Sequence, residues 1–233
     1  MTTIYANLQA VKRRIIDACS AAGRDPATVR LLAVAKTFPA DALRAAHAAG
    51  QRAFGESYVQ EALAKQAQLA DLELEWHFIG PLQSNKTRAV AGHFSWVHSV
   101  DRLKIAERLS AQRPDHLPPL NVCVEVNVSG EASKSGCTPE EAPLLCRAVA
   151  RLPRLRLRGL MTIPAPGRGS AAENSALARR QFAMLRRLRQ QINEEAGLEL
   201  DTLSMGMSSD LEEAILEGAT LVRVGTAIFG ARN

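Results

Sequence analysis

Leu31-Leu32-Ala33-Val34-Ala35-Lys36-Thr37-Phe38-Pro39 is the stretch on which the fold of this chain turns. Five consecutive apolar residues with turn chemistry on both sides read as a buried strand. Lys36 closes that strand, and Pro39 suits the first turn of a following helix. In a sheet or barrel of parallel strands, the carboxyl end of a strand is where reactive side chains meet a ligand. An amine held there among apolar neighbours is poorly solvated, so its pKa falls and it becomes a nucleophile toward aldehydes. A lysine at a strand end can equally carry its ammonium out into water. Position alone leaves both roles open.

Outward from this unit the pattern repeats. Residues 52–54, 75–79, 95–100, 121–128, 155–163, 201–205 and 220–224 read as seven further strands. Helices are expected over 39–49, 57–70, 84–91, from an N-cap at Asp101 to Gln112, from Thr138 onward, and over 177–196 and 210–217. Segment 113–119, with three prolines, reads as a loop, and 164–170, with two prolines and two glycines, as a mobile one. Ahead of the first strand, Ile4, Leu8, Val11, Ile15 and Cys19 draw one apolar stripe of an added helix, expected to plug or cover one end. Eight strands alternating with helices, and no linker long enough to divide them, make residues 1–233 a single α/β domain. The economical architecture is a (β/α)8 TIM barrel with an additional N-terminal helix. A doubly wound open sheet is the alternative, because alternation does not by itself close a barrel.

Composition narrows the partners. Hydrophobic residues at 46% and charged ones at 23% are ordinary for a globular chain. A net charge of +5 suits a small anionic ligand and would also suit nucleic acid, but aromatics at 4% leave few platforms for stacking bases, so no nucleic-acid partner is expected. Cys19, Cys123, Cys137 and Cys146 form no CxxC pair and lie near no histidine cluster, which points to reduced, separately buried thiols and no metal. Met1-Thr2-Thr3-Ile4-Tyr5 lacks the basic-then-apolar order of a secretory signal, and no apolar run approaches the ~20 residues of a membrane span. A cytoplasmic protein away from membranes is expected.

The strongest functional signal closes the chain. Ser204-Met205-Gly206-Met207-Ser208-Ser209-Asp210-Leu211-Glu212 follows the seventh strand. Gly206 permits a sharp turn, Ser209 and Glu212 have the spacing of a capping box, and Ser208 with nearby N–H groups can face an anion at a helix N-terminus. Val222-Arg223-Val224-Gly225-Thr226-Ala227-Ile228-Phe229-Gly230 spans the eighth strand, and Gly225 and Thr226 place small residues and N–H donors at the start of a short terminal helix. Loops after strands seven and eight of such barrels frequently bind phosphate, although each could simply cap its helix. Arg223 faces away from Val222 and Val224, into the interior, where it needs a ligand or an acid such as Glu125. A reactive lysine and a phosphate cradle together suggest a phosphorylated aldehyde, pyridoxal 5′-phosphate (PLP), held as a Schiff base on Lys36. An arginine at the ring nitrogen stays protonated, leaves the nitrogen unprotonated and weakens the ring as an electron sink.

These features come together in a resemblance. Ala33-Val34-Ala35-Lys36, Phe54-Gly55-Glu56, Trp76-His77-Phe78-Ile79-Gly80-Pro81-Leu82-Gln83-Ser84-Asn85-Lys86, Ser133-Lys134-Ser135-Gly136, Arg158-Gly159-Leu160-Met161, Ser204–Ser208 and Val222–Arg232 occur in this order along nearly the whole chain. The sequence resembles the pyridoxal phosphate homeostasis protein family. The resemblance implies a barrel like the N-terminal domain of alanine racemase, with Lys36 as the Schiff-base lysine, Arg223 at the pyridine nitrogen, and Ser208, Gly225 and Thr226 at the phosphate. Ser204, within its motif, belongs to the same expected set. Met161, ending the sixth strand, is expected to pack against the ring. The family usually reads Gly-Glu-Asn-Tyr where this chain has Gly55-Glu56-Ser57-Tyr58, so Ser57 is expected to reach the cofactor through water.

The resemblance further implies a PLP carrier that buffers the cofactor and passes it to apo-enzymes, without established turnover, and a monomer is expected. The alternative is an amino-acid racemase, which needs a second base opposite Lys36. This chain closes as its barrel does, and offers only Tyr5 and Tyr58 for that role. His77, Gln83, Asn85 and Lys86 could line a pocket mouth or form a turn network, and Lys134 could be a second amine or a solvated loop lysine. Arginines at 151, 154, 156 and 158 and at 179, 180, 186, 187 and 189 read as solvated faces, with an acidic partner protein open.

Overall fold

A computed structural model describes residues 3–131 and 133–231; Met1, Thr2, Ala132, Arg232 and Asn233 lie outside the described residues, and with them the last arginine of the terminal motif. The strands are β1 (Arg30–Val34), β2 (Ala53–Glu56), β3 (Glu75–Phe78), β4 (Trp96–Val100), β5 (Leu120–Glu125), β6 (Leu155–Met161), β7 (Thr202–Ser204) and β8 (Leu221–Val224). They run parallel in chain order and close, because β1 pairs both with β2, through Ala33 opposite Phe54, and with β8, through Ala33 opposite Val224. Closure excludes the open sheet. The helices are α1 (Thr3–Ala21), α2 (Ala40–Ala48), α3 (Val59–Gln68), α4 (Thr87–His93), α5 (Leu103–Gln112), α6 (Ala142–Ala150), α7 (Ala171–Ala196), α8 (Leu211–Leu216) and α9 (Thr226–Phe229).

Period-two alternation sorts each strand between two cores. Ala33, Phe54, Phe78, Val97, Val122, Leu160, Leu203, Val222 and Val224 join the large shell between sheet and helices. Their neighbours fill the barrel in two separate apolar groups, one of Leu32, Val34, Ala53, Ile79 and Leu221, the other of Trp96, Cys123 and Met161. All four cysteines are buried and unpaired. Among the described residues no helix is long and apolar enough to cross a membrane.

Four local expectations change. Helix α1 does not plug an end; it packs in the outer shell against α8, α9 and α2, burying Leu8, Val11, Ile15 and Cys19. Arg14 on α1 grips Glu212 through Nε (2.6 Å) and Nη2 (2.8 Å) and also donates to the Ser208 carbonyl (3.0 Å), so this helix buttresses the loop after β7. Glu212 is therefore taken, and Ser209 and Glu212 form no capping box: the N-cap of α8 is Asp210, whose carboxylate instead accepts from the Met207 N–H at 2.6 Å. At α5 the N-cap is Arg102 rather than Asp101, because Asp101 pairs with the Arg102 guanidinium at 2.7 Å. Helix α7 starts at Ala171, earlier than 177, on a genuine capping box in which Ser170 and Glu173 satisfy each other's backbone N–H groups. Its first turns bury no residue, with Gln181 the first buried, so an apolar stripe could not reveal them.

Candidate functional site

Lys36 is presented by a strained turn. The Phe38 N–H donates to the Ala35 carbonyl at 3.1 Å, and Thr37 between them has φ 71°, a conformation unfavourable for a β-branched residue. Such strain persists only where the surroundings hold it, and here the Thr37 N–H donates to the Glu61 carboxylate. Glu61 is held in turn by the Lys65 ammonium at 2.6 Å. That ammonium also donates to the Ala35 carbonyl (2.7 Å) and to Glu56 (2.7 Å) at the end of β2. One buried amine thus ties both flanks of Lys36. Burial pushes the Glu56 carboxyl up to about 7 against the pull of Lys65.

The opposite wall comes from the two terminal loops. Gly206 has φ 91°, and a Cβ there would lie 2.5 Å from the Ala214 Cβ. At Gly225 a Cβ would come within 3.2 Å of the Val34 carbonyl, so the loop after β8 lies directly against β1. Ser208 Oγ accepts from the Thr226 hydroxyl (3.3 Å) and the Ala227 N–H (3.4 Å), joining the two loops. A cavity of about 280 Å³ results, bordered by Val34, Lys36, Ile79, Ile163, Met207, Ser208, Ser209, Arg223, Gly225 and Thr226.

Arg223 is the cation at its floor. It is buried, with Nη1 donating to the Ser204 carbonyl (2.6 Å) and hydroxyl (2.7 Å) and Nη2 to the Thr162 carbonyl (2.8 Å). Those bonds, rather than an ion pair with Glu125, hold the guanidinium. Burial lowers it to about 10, opposed by the charges of Glu125 and Asp210, so it remains a cation at neutral pH.

Glu125, facing inward from β5, is pushed up to about 7 by burial and by Asp101, against the pull of Arg223. A folded-state value above the ordinary 4.5 means that the folded chain keeps a proton the unfolded chain has lost. The associated stability is fully present below 4.5 and is lost as pH rises through 7. It amounts to about 3 kcal/mol for a shift of this size. Urea unfolding between pH 4.5 and 8 should therefore show stability falling with pH, and Glu125→Gln should remove much of that fall. An unchanged slope in the variant would refute this origin.

Of the residues singled out from sequence, Lys36, Ser208, Arg223, Gly225 and Thr226 meet in this one cavity. Ser204 stands behind Arg223 as its acceptor and does not border the cavity. Met161 does not either: strand alternation turns it inward against Trp96 and Cys123. Ser57 is half-buried beside Gly80, where even a Cβ would strike the Ser57 carbonyl, and it too lies outside the wall. His77 is no mouth residue but fully buried in the barrel, bonded to Glu75 and His98. Gln83 and Asn85 are exposed beyond β3. Lys134 borders an adjoining space that shares Ile163, Met207 and Ser209 with the first. Sequence reading missed Glu61, Lys65 and His98. His98 was within reach, because strand alternation turns it to the same side as Trp96 in a fully buried strand, the kind of signal that exposed Arg223.

Residues 6–233 match the family model of the alanine racemase N-terminal domain, which makes the chain a barrel of that class. The pyridoxal phosphate homeostasis protein of Pseudomonas aeruginosa is 66% identical over 233 residues, covering 100% of this chain and 97% of that one. Among solved structures, PipY of Synechococcus elongatus PCC7942 with PLP bound superposes with a TM-score of 0.82 at 41% identity, covering 97% of this chain and 100% of that one. Alanine racemase from Corynebacterium glutamicum, at 19% identity and a TM-score of 0.70, shares the fold over 99% of this chain and 60% of its own. The chain belongs to the pyridoxal phosphate homeostasis protein family.

Proposed function

We propose that this chain binds PLP at the barrel mouth and serves intracellular PLP homeostasis, without turning over a substrate. The observation that carries this reading is the single cavity bordered by Lys36, by the Ser208 and Gly225–Thr226 loops, and by Arg223. These residues fit the group. Gly206 and Gly225 let the two loops pack tightly against Ala214 and Val34, the loops carry hydroxyls and N–H donors for a phosphate, and Lys36 supplies an amine. When bound, PLP supplies an aldehyde that condenses with an amine and a ring that can draw electrons from the carbon attached there. Lys36 would hold the group covalently, Ser208, Gly225 and Thr226 its phosphate. Arg223 can only donate at the ring nitrogen and has no lone pair to take a proton from it. Ser204 acts through Arg223.

Racemisation would require a second base facing Lys36. Tyr5 and Tyr58 are 37% and 57% exposed, and neither borders the cavity. PLP-loaded protein incubated with L- or D-alanine in deuterated water should exchange no α-hydrogen beyond one equivalent. Repeated exchange would restore the racemase. The same reading takes the chain as a cytoplasmic monomer that passes PLP to apo-enzymes; four buried, unpaired thiols support a reducing compartment.

A further inference from the structure

Between the two apolar groups inside the barrel runs a line of hydrogen-bonding side chains. Arg223 Nη1 donates to Ser204 Oγ at 2.7 Å, and Ser204 Oγ meets His98 Nδ1 at 2.8 Å. His98 Nε2 meets His77 Nδ1 at 2.9 Å, and His77 Nε2 meets Glu75 Oε1 at 2.6 Å. Arg30 then donates to the same Glu75 oxygen at 2.6 Å. Glu75 and Arg30 open β3 and β1, so the line crosses the barrel from its opposite face to the cavity. His77, His98 and Ser204 have no solvent exposure at all.

The two ends decide the direction of every bond between them. A guanidinium only donates, and an ionised carboxylate only accepts. Burial alone would raise Glu75, but the hydrogen bond from the His77 ring and the Arg30 guanidinium at 2.6 Å bring it down, so it is ionised. His77 must then carry its proton on Nε2, toward Glu75, leaving Nδ1 as an acceptor. His98 donates to that acceptor from its own Nε2, and its Nδ1 receives the Ser204 hydroxyl proton. The Ser204 oxygen is left with a lone pair for Arg223. With both imidazoles neutral, every donor meets an acceptor. A proton on His98 Nδ1 instead would leave two bare ring nitrogens facing each other 2.9 Å apart. Burial lowers the pKa of both rings. The charged groups that face them are Glu75, Arg30 and Arg223, and Arg158 lies over the Trp96 ring that stacks on His77.

We propose that His98 and His77 are positioning residues for Arg223: they draw the Ser204 proton away from the guanidinium and keep the Ser204 lone pair locked on Nη1. The positional consequence for bound PLP rests on the function proposed above; the tautomers do not. In cofactor-free, ¹⁵N-labelled protein, long-range ¹H–¹⁵N spectra should show two histidines as neutral Nε2–H tautomers that do not titrate between pH 6 and 8. Ser204→Ala, which removes the donor to His98, should disturb them, and Ser204→Thr should restore them. A buried histidine found protonated at pH 7, or as the Nδ1–H tautomer, overturns the proposal. In the PLP-loaded protein, His98→Phe should shift the visible absorption and speed PLP release about tenfold or more, since a hydrogen bond to a charged group is loosened. Should His98→Phe not fold, Ser204→Ala against Ser204→Thr gives the same reading. Parent-like spectra and release in the folded variants overturn the positioning role. A parent that takes up no PLP would instead sink the proposed function, leaving the tautomer result to stand by itself.

Discussion

Lys36→Ala should lose all PLP that borohydride can fix to the protein, together with the absorption of the bound form, while melting within a few degrees of the parent. Among the described residues Lys36 is the one lysine bordering the cavity that holds the cradle of Ser208, Gly225 and Thr226. It is only half-buried and belongs to neither barrel core, so truncating it removes little packing. Substitutions of that kind usually change stability by about 0.5 kcal/mol or less, roughly 1–2 °C for a chain of this size. Peptide mapping after reduction gives the decision. Label retained in Lys36→Ala, or found in the parent on Lys134 or Lys86, would move the anchor elsewhere.

Lys65→Met should be the most destabilising of these changes, by about 3–5 kcal/mol at pH 8. The Lys65 side chain is 6% exposed and that of its partner Glu56 is 0%. Removing the ammonium strips Glu56 Oε1 of its bond, and Oε2 has no hydrogen-bond partner among the described residues. Burial and the nearby Glu61 charge, which already raise Glu56, then act unopposed by Lys65. A carboxyl raised in the folded state destabilises the fold increasingly as pH rises. The deficit should therefore be small at pH 5 and largest at pH 8, and Glu56→Gln in the same chain should recover most of it. Equal deficits at both pH values would show that Lys65 matters through packing alone. Because the same ammonium ties the Ala35 carbonyl and, through Glu61, the Thr37 N–H, reductive fixation of PLP at Lys36 should slow as well.

Strand ends were legible only in part. Reading β5 to residue 128 overran its end at Glu125: Val126 leaves the strand for an isolated bridge with Cys137, and Val128 stays buried beyond it. Apolar runs report burial, and at a barrel mouth burial outlasts pairing. The N-caps at Asp101 and Ser209 failed for a different reason. Their sequence signals were sound, but Arg102 and Arg14 claimed the carboxylates, one of them from 198 residues away.

What sequence by itself determined is whatever depends on local spacing: eight strands alternating with helices, Lys36 at a strand end, small residues in the two closing loops, and an arginine turned inward on the last strand. Tertiary structure alone decided which polar groups meet. Ser204 reaches His98 across 106 residues, Lys65 reaches the Ala35 carbonyl across 30, and α1 braces the Ser208 loop across 194. The physical reason is the closure of the barrel. It brings inward side chains such as Ser204 and His98 into one narrow interior and lays the outer helices that carry Lys65 and Arg14 against the loops at the strand ends, so each polar group finds its partner among elements that sequence distance does not rank.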